Sequence, residues 1–168
     1  GYSFSLTDLH TVHPLSAGFR ADLAKFVGVC RVFKGMRNAR FGAIGARPGN
    51  FNTMRFSEKL LQKYGISVVT VDFSEILGKA NKVADNDAKV IQKLSAINGY
   101  AKHDSVPSQA LLRMAKLGLV IDEWMQEYDI DATAIQCWTS LQQNFHINVC
   151  TLMSMMSGML YPSANSSM

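Results

Sequence analysis

Apolar positions change their spacing several times along this chain, and each change marks an element. Over 19–36, Leu23, Phe26, Val27, Cys30 and Phe33 recur at three- and four-residue steps. That spacing predicts a helix with those side chains inward, weakened at Gly28 and ended at Gly35. The stretch 40–61 then reads as strand, loop and helix. Phe41, Ala43, Ile44 and Ala46 form a short apolar run suited to a strand covered on both faces. Gly42 and Gly45 thin it, which predicts a backbone or a ligand close by. Arg47-Pro48-Gly49-Asn50 breaks it with loop chemistry. The helix that follows takes Asn52 or Thr53 as cap and Met54, Leu60 and Leu61 as inward positions, and Gly65 closes it.

A β-branched run at 66–73 predicts a second strand. Ser74 suits the cap of a short helix reaching Leu77. A helix over 85–100 opens on Asp85 and Asp87, which suit its dipole, and turns Val90, Ile91, Leu94 and Ile97 inward. Pro107 sits in the first turn of a helix reaching about 128, with Leu111, Met114, Ala115, Leu117, Ile121 and Trp124 along one side and Gly118 allowing close packing. A third strand is expected at 132–137. A polar loop follows over 140–148, then a methionine-rich helix over 149–160, with a fourth strand starting at Pro162. Alternation of this kind predicts a Rossmann-like three-layer α/β/α fold with a mostly parallel sheet. Residues 1–18 read as an irregular segment, 19–164 as a single α/β domain, and 165–168 as a ragged end. With Gly1 rather than Met at its start, the chain reads as a piece of a larger protein.

Parallel sheets place ligands where strand gives way to loop and helix, so the ends of the first and third strands, at Arg47 and Trp138, are expected to border one crevice. Two nucleotide modes are excluded by motif. Gly42, Gly45 and Gly49 lack the spacing of a dinucleotide fingerprint, although Asp72 stands where such a site keeps its acid, and no Gly-Lys-Ser/Thr marks a phosphate loop.

Composition narrows the picture further. The chain has 168 residues, 48% hydrophobic and 18% charged, enough for one buried core. The net charge is +4, and much of the excess lies in Arg31, Lys34, Arg37 and Arg40. Without interleaved aromatics or a known module, that run reads as a solvated helix end and not as a nucleic-acid face. Cys30, Cys137 and Cys150 are odd in number and form no CxxC pair, which argues against a disulfide framework or a zinc cage and for a reducing cytoplasm. No apolar run is long enough to span a bilayer. His10 and His13 have no third ligand nearby and suit a surface segment. The four methionines of 149–160 suit a soft core or interface.

Two stretches carry a resemblance to a known family. ARFGAIGARPGNFNTMRFSEKLL with GISVVTVDFSEI resembles the second domain of the L-fucose/L-arabinose isomerase family, and AIQCWTSL, CTLMSMMS and LYPSA resemble later parts of the same domain. The likeness runs from about residue 19 to 164. It implies the substrate-facing middle domain of a three-domain subunit in a cytoplasmic homo-oligomer of carbohydrate metabolism. That enzyme converts an aldose to a ketose, moving a proton between adjacent carbons through an enediol, with a divalent metal, usually Mn2+, polarising the carbonyl. The family needs carboxylates after the third strand and on the next, and a histidine from the following domain. This chain has no Asp or Glu after Asp131, and Gln142, Gln143 and Asn144 follow the third strand. No catalytic residue or metal ligand is therefore expected within it, and the chain alone is expected to be inactive. His146 reads as an ordinary loop histidine, and Cys150 and Gln136 as packing. The substrate-binding candidates for the monosaccharide are Arg47, which suits sugar hydroxyls or a neighbouring carboxylate or carbonyl; Asn50, which suits a ligand or a turn; Arg55, which opposes the dipole of a first helical turn and so suits an anion or an interface; and Trp138, which suits stacking on a sugar face or buried packing. The alternative is a sugar-binding or oligomerisation module that kept the fold and lost the metal carboxylates.

Overall fold

The computed structural model describes residues 11–159 together with positions 4, 6, 7 and 9. His10, the fourth strand expected at Pro162 and the ragged end at 165–168 lie outside the described residues. The order is α1 (Ala17–Met36), β1 (Arg40–Ile44), α2 (Glu58–Lys63), β2 (Ser67–Val71), α3 (Phe73–Lys82), α4 (Ala88–Tyr100), α5 (Ser108–Glu127), β3 (Ala132–Ile135), a single π-helical turn (Leu141–Phe145) and α6 (Cys150–Met159). The strands form one parallel sheet in the order β2-β1-β3, and the fold is α/β, consistent with a three-layer α/β/α arrangement. β1 and β3 run in register from Phe41 opposite Ala132 to Ile44 opposite Ile135. Their starts are pinned by Asp131, whose carboxylate accepts from the Arg40 amide and whose own amide donates to the Arg40 carbonyl, both at 2.9 Å.

The chain divides into two compact units, 1–39 with 58–67, and 40–57 with 68–168. The main core lies in the second. Its centre is α5, where Leu117, Gly118, Leu119, Val120 and Ile121 are buried in succession. A run buried on every side belongs to a helix enclosed by its neighbours, and α5 packs on both α3 and α4. All six of the side chains expected on its inner face are buried. The close packing expected at Gly118 is observed: a Cβ there would lie 2.8 Å from both Leu152 Cδ1 and Lys93 Cε. At Gly42 the close neighbour is a side chain. A Cβ would lie 2.7 Å from the Trp124 ring, so the glycine lets the indole come close to β1. Met155 is buried in the same core, with Met153 and Met156 half-buried against it, as expected of a soft core helix.

Several sequence expectations are corrected. No residue of α1 is buried, and Leu23, Phe26, Val27 and Phe33 are exposed. In the first unit, Leu60 is also exposed. The helix after the 45–57 loop starts at Glu58, so Asn52 and Thr53 sit in a turn and cap nothing, and Met54 is exposed. β1 shows a partly covered pattern, with Phe41 and Ala43 half-buried, and is not covered on both faces. Ile91 is exposed because it lies one residue from Val90, outside the Val90–Leu94–Ile97 seam. α3 starts earlier than expected because Asp72, and not Ser74, caps it, and it runs past the expected end at Leu77 to Lys82. Part of the 140–148 loop is the π-helical turn, which buries Leu141 and Phe145. Cys150 is exposed at the start of α6, and does not pack.

Candidate functional site

The carboxyl ends of β1 and β3 lie side by side because the strands are parallel neighbours, so the segments leaving them meet. Gly45 makes the turn out of β1 at φ 80°, and its amide donates to the Val71 carbonyl at 3.0 Å, which ties in the end of β2. A Cβ at Gly45 would lie 2.7 Å from Gln136 Oε1, so glycine is needed for both its dihedral and its space.

Gln136 is the clamp of the site. Its amide nitrogen on the backbone continues the ladder to the Ile44 carbonyl at 2.9 Å. Its side-chain oxygen accepts from the Ala46 amide at 3.0 Å, and its side-chain nitrogen donates to the Trp138 carbonyl at 3.1 Å. One residue thus fixes both exits. In the sequence it reads as packing, because it lies within the strand expected at 132–137. A glutamine at the carboxyl end of a strand was the available signal.

Trp138 is 53% exposed and meets Phe51 edge-on, with ring centroids 5.3 Å apart and planes at 73°. This contact joins the β3 exit to the loop after β1. In that loop Arg47 donates from Nη1 to Asn52 Oδ1 and to the Pro48 carbonyl, each at 3.3 Å, and Arg55 donates from Nη2 to the same Asn52 oxygen at 3.5 Å. Arg55 lies in the loop and not on a first helical turn. Arg47, Arg55 and Trp138 therefore share one segment and its neighbour. Asn50 is exposed in the turn and makes no side-chain hydrogen bond to any of the three among the described residues; Asn52 does the gathering.

The donors here are guanidiniums, amides and an indole, and such a set does not fit a divalent cation, which takes carboxylate and other hard oxygen ligands. Among the described residues no three His, Cys, Asp or Glu side chains come together as a metal site. Asp72, at the end of β2, is committed to α3: its carboxylate accepts from the Ser74 amide at 2.8 Å and from the Ser74 hydroxyl. These bonds hold its carboxyl below the ordinary value of 3.8. His146 is the left-handed residue closing the π-helical turn, a loop role as expected.

A separate cavity of about 530 Å³ lies by the amino end of β3, lined by Met125, Ile130, Met153 and Met156 with Asp122 and Asp129 among its polar residues. It is remote in the strand from the exits just described, since Ala132 and Thr133 border it. Among the described residues no helix is long and apolar enough to cross a membrane.

No family model matches the chain. Over 145 residues, 84% of this chain, it is 21% identical to the sulfoquinovose isomerase of Priestia megaterium (strain ATCC 12872 / QMB1551), and the same figures hold for that of Priestia aryabhattai. Over 156 residues, 91% of the chain, it is 21% identical to the sulfoquinovose isomerase of Clostridium sp. (strain MSTE9). Each match covers 32% of the relative, so the chain spans about a third of the length of the curated proteins it resembles. The chain is thus distantly similar to sugar isomerases.

Proposed function

We propose that this chain is the substrate-facing middle domain of an aldose–ketose isomerase of the L-fucose isomerase type, working in a cytoplasmic oligomer. The observation that carries the reading is the meeting of the segments that leave β1 and β3, where exposed Trp138 packs edge-on against Phe51 of the loop that carries Arg47 and Arg55. The likeness to sulfoquinovose isomerases over most of this chain supports it. In this role Trp138 offers an apolar face to the C–H side of a sugar ring, Arg47 and Asn50 offer donors to its oxygens, and Gln136 keeps the two walls of the crevice in register. The residues present hold and orient; none is suited to moving the proton between carbons, which asks for a carboxylate or histidine in reach. The Mn2+ that the family implies does not suit this donor set, and on this reading its ligands lie elsewhere in the parent protein.

The test is ketose formation in the presence of Mn2+, measured for the 168-residue chain and for the full-length protein that carries it. Turnover is expected from the full-length protein alone. Turnover by the chain itself contradicts the reading. A second reading is favoured by one observation, the lack of any Asp or Glu after Asp131: a sugar-binding or oligomerisation module that has lost catalysis. Sugar binding by the full-length protein without conversion would select it.

A further inference from the structure

We propose that the cavity at the amino end of β3 binds a small organic ammonium, a molecule with an apolar body and one protonated amine. This site stands apart from the sugar reading and does not depend on it. Its walls come from three parts of the second unit: the last turn of α5 with the turn that follows, the start of β3, and α6. Its volume, about 530 Å³, falls within the range of small-molecule pockets. Met125, Met153, Met156 and Ile130 make the apolar wall. Met153 and Met156 stand three residues apart on α6 and so share one face. All three methionines are half-buried, so the core leaves part of each side chain uncovered. Unbranched thioether side chains adapt to an apolar guest of irregular shape.

Charge selects the other end of the guest. Asp122 and Asp129 line the cavity, and no lysine, arginine or histidine does. Asp122 is already met by Lys93. Asp129 makes no ion pair and no side-chain hydrogen bond among the described residues, so its charge is the one left for a guest. The last turn of α5 brings Met125 and Gln126 to the wall and carries no basic residue. The negative end of that helix dipole is thus met by no cation from its own turn, and it favours a positive group at the same place. One free carboxylate is too little for a hard divalent ion, and among the described residues no three metal-ligating side chains gather. An anion is repelled, and a neutral apolar guest leaves Asp129 without a counter-charge. An ammonium on an apolar body uses both the methionine wall and the carboxylate. Since Asp129 is exposed, the electrostatic gain is screened by salt.

The experiment is an NMR titration of the full-length protein, isotope-labelled in its methionine methyls, with amantadine, adamantanol and adamantanecarboxylate. These share one rigid apolar body and differ in the head group. Amantadine is expected to move the Met125, Met153 and Met156 methyl peaks and to leave those of Met36 and Met54, which do not line the cavity. It is expected to bind about threefold or more tighter than the alcohol, with the carboxylate weakest and the gap narrowing as salt rises. Asp129 has a left-handed backbone at φ 53°, which asparagine and glycine both adopt. Asp129→Asn and Asp129→Gly are therefore each expected to fold, as their free methyl spectra report, and to bring the amine and alcohol affinities together. Silence of the three cavity methyls toward amantadine overturns the site. An alcohol bound as tightly as the amine, or a preference for the amine that survives in both Asp129 variants, overturns the ammonium assignment. None of these outcomes bears on the sugar reading, which ketose formation tests.

Discussion

A hydrogen atom at Gly42 is all that separates β1 from the Trp124 ring. A methyl group there would lie 2.7 Å from two ring carbons and 2.9 Å from Thr133 Cγ2, and neither an indole in a filled core nor a β-branched strand residue yields easily. Gly42→Ala is therefore expected to lower stability by about 1–3 kcal/mol, read as a shift in denaturant midpoint without a change in slope. Asp72 gives a pH-dependent counterpart. Its carboxyl is held below 3.8 by the Ser74 hydroxyl and amide, so the folded chain binds this proton more weakly than the unfolded chain. The capping contribution is then present above the ordinary value and is lost as pH falls through the lower folded one. Following the Asp72 carboxyl carbon by NMR should give a midpoint under 3.8, with protection of the first α3 amides lost in the same window; a midpoint at or above 3.8 contradicts the cap.

Between elements, α4 and α5 are joined by two ion pairs of unlike setting. Lys89 meets Glu123 at 2.7 Å with both side chains well exposed, whereas Lys93, whose side chain is 11% exposed, meets Asp122. A double-mutant cycle on Lys93 and Asp122 is expected to return a coupling of about 0.5–3 kcal/mol. The Lys89–Glu123 cycle is expected to return less than about 1 kcal/mol, and to lose it in salt. Equal couplings would remove the distinction. This scale is also where the sequence was most readable. The inner face of α5 could be listed from spacing alone, because a long helix repeats its signal many times. The start of α3 is ambiguous in sequence, since Asp72 and Ser74 both suit a cap and the choice between them is made by backbone geometry. The turn at 52–53 reads as the cap of a helix because turn and cap use the same residues.

For the whole molecule, the nearness of the β1 and β3 exits is legible in the sequence through Arg47 and Trp138, which both stand where strands end, and parallel pairing brings strand ends together. Gln136 and the Asn52-centred pair are not, because each depends on where a loop closes in space. The second unit holds the enclosed core, and both tryptophans, Trp124 and Trp138, belong to it. The first unit contains α1, twenty residues long with none buried. Tertiary packing supplies most of a helix's stability, and α1 draws little of it from its own side chains. Warming should consequently dissolve this rod first. Ellipticity at 222 nm is expected to start falling at a lower temperature than the indole emission moves, and superimposable curves from the two probes would mean that the bare rod and the core around α5 let go together.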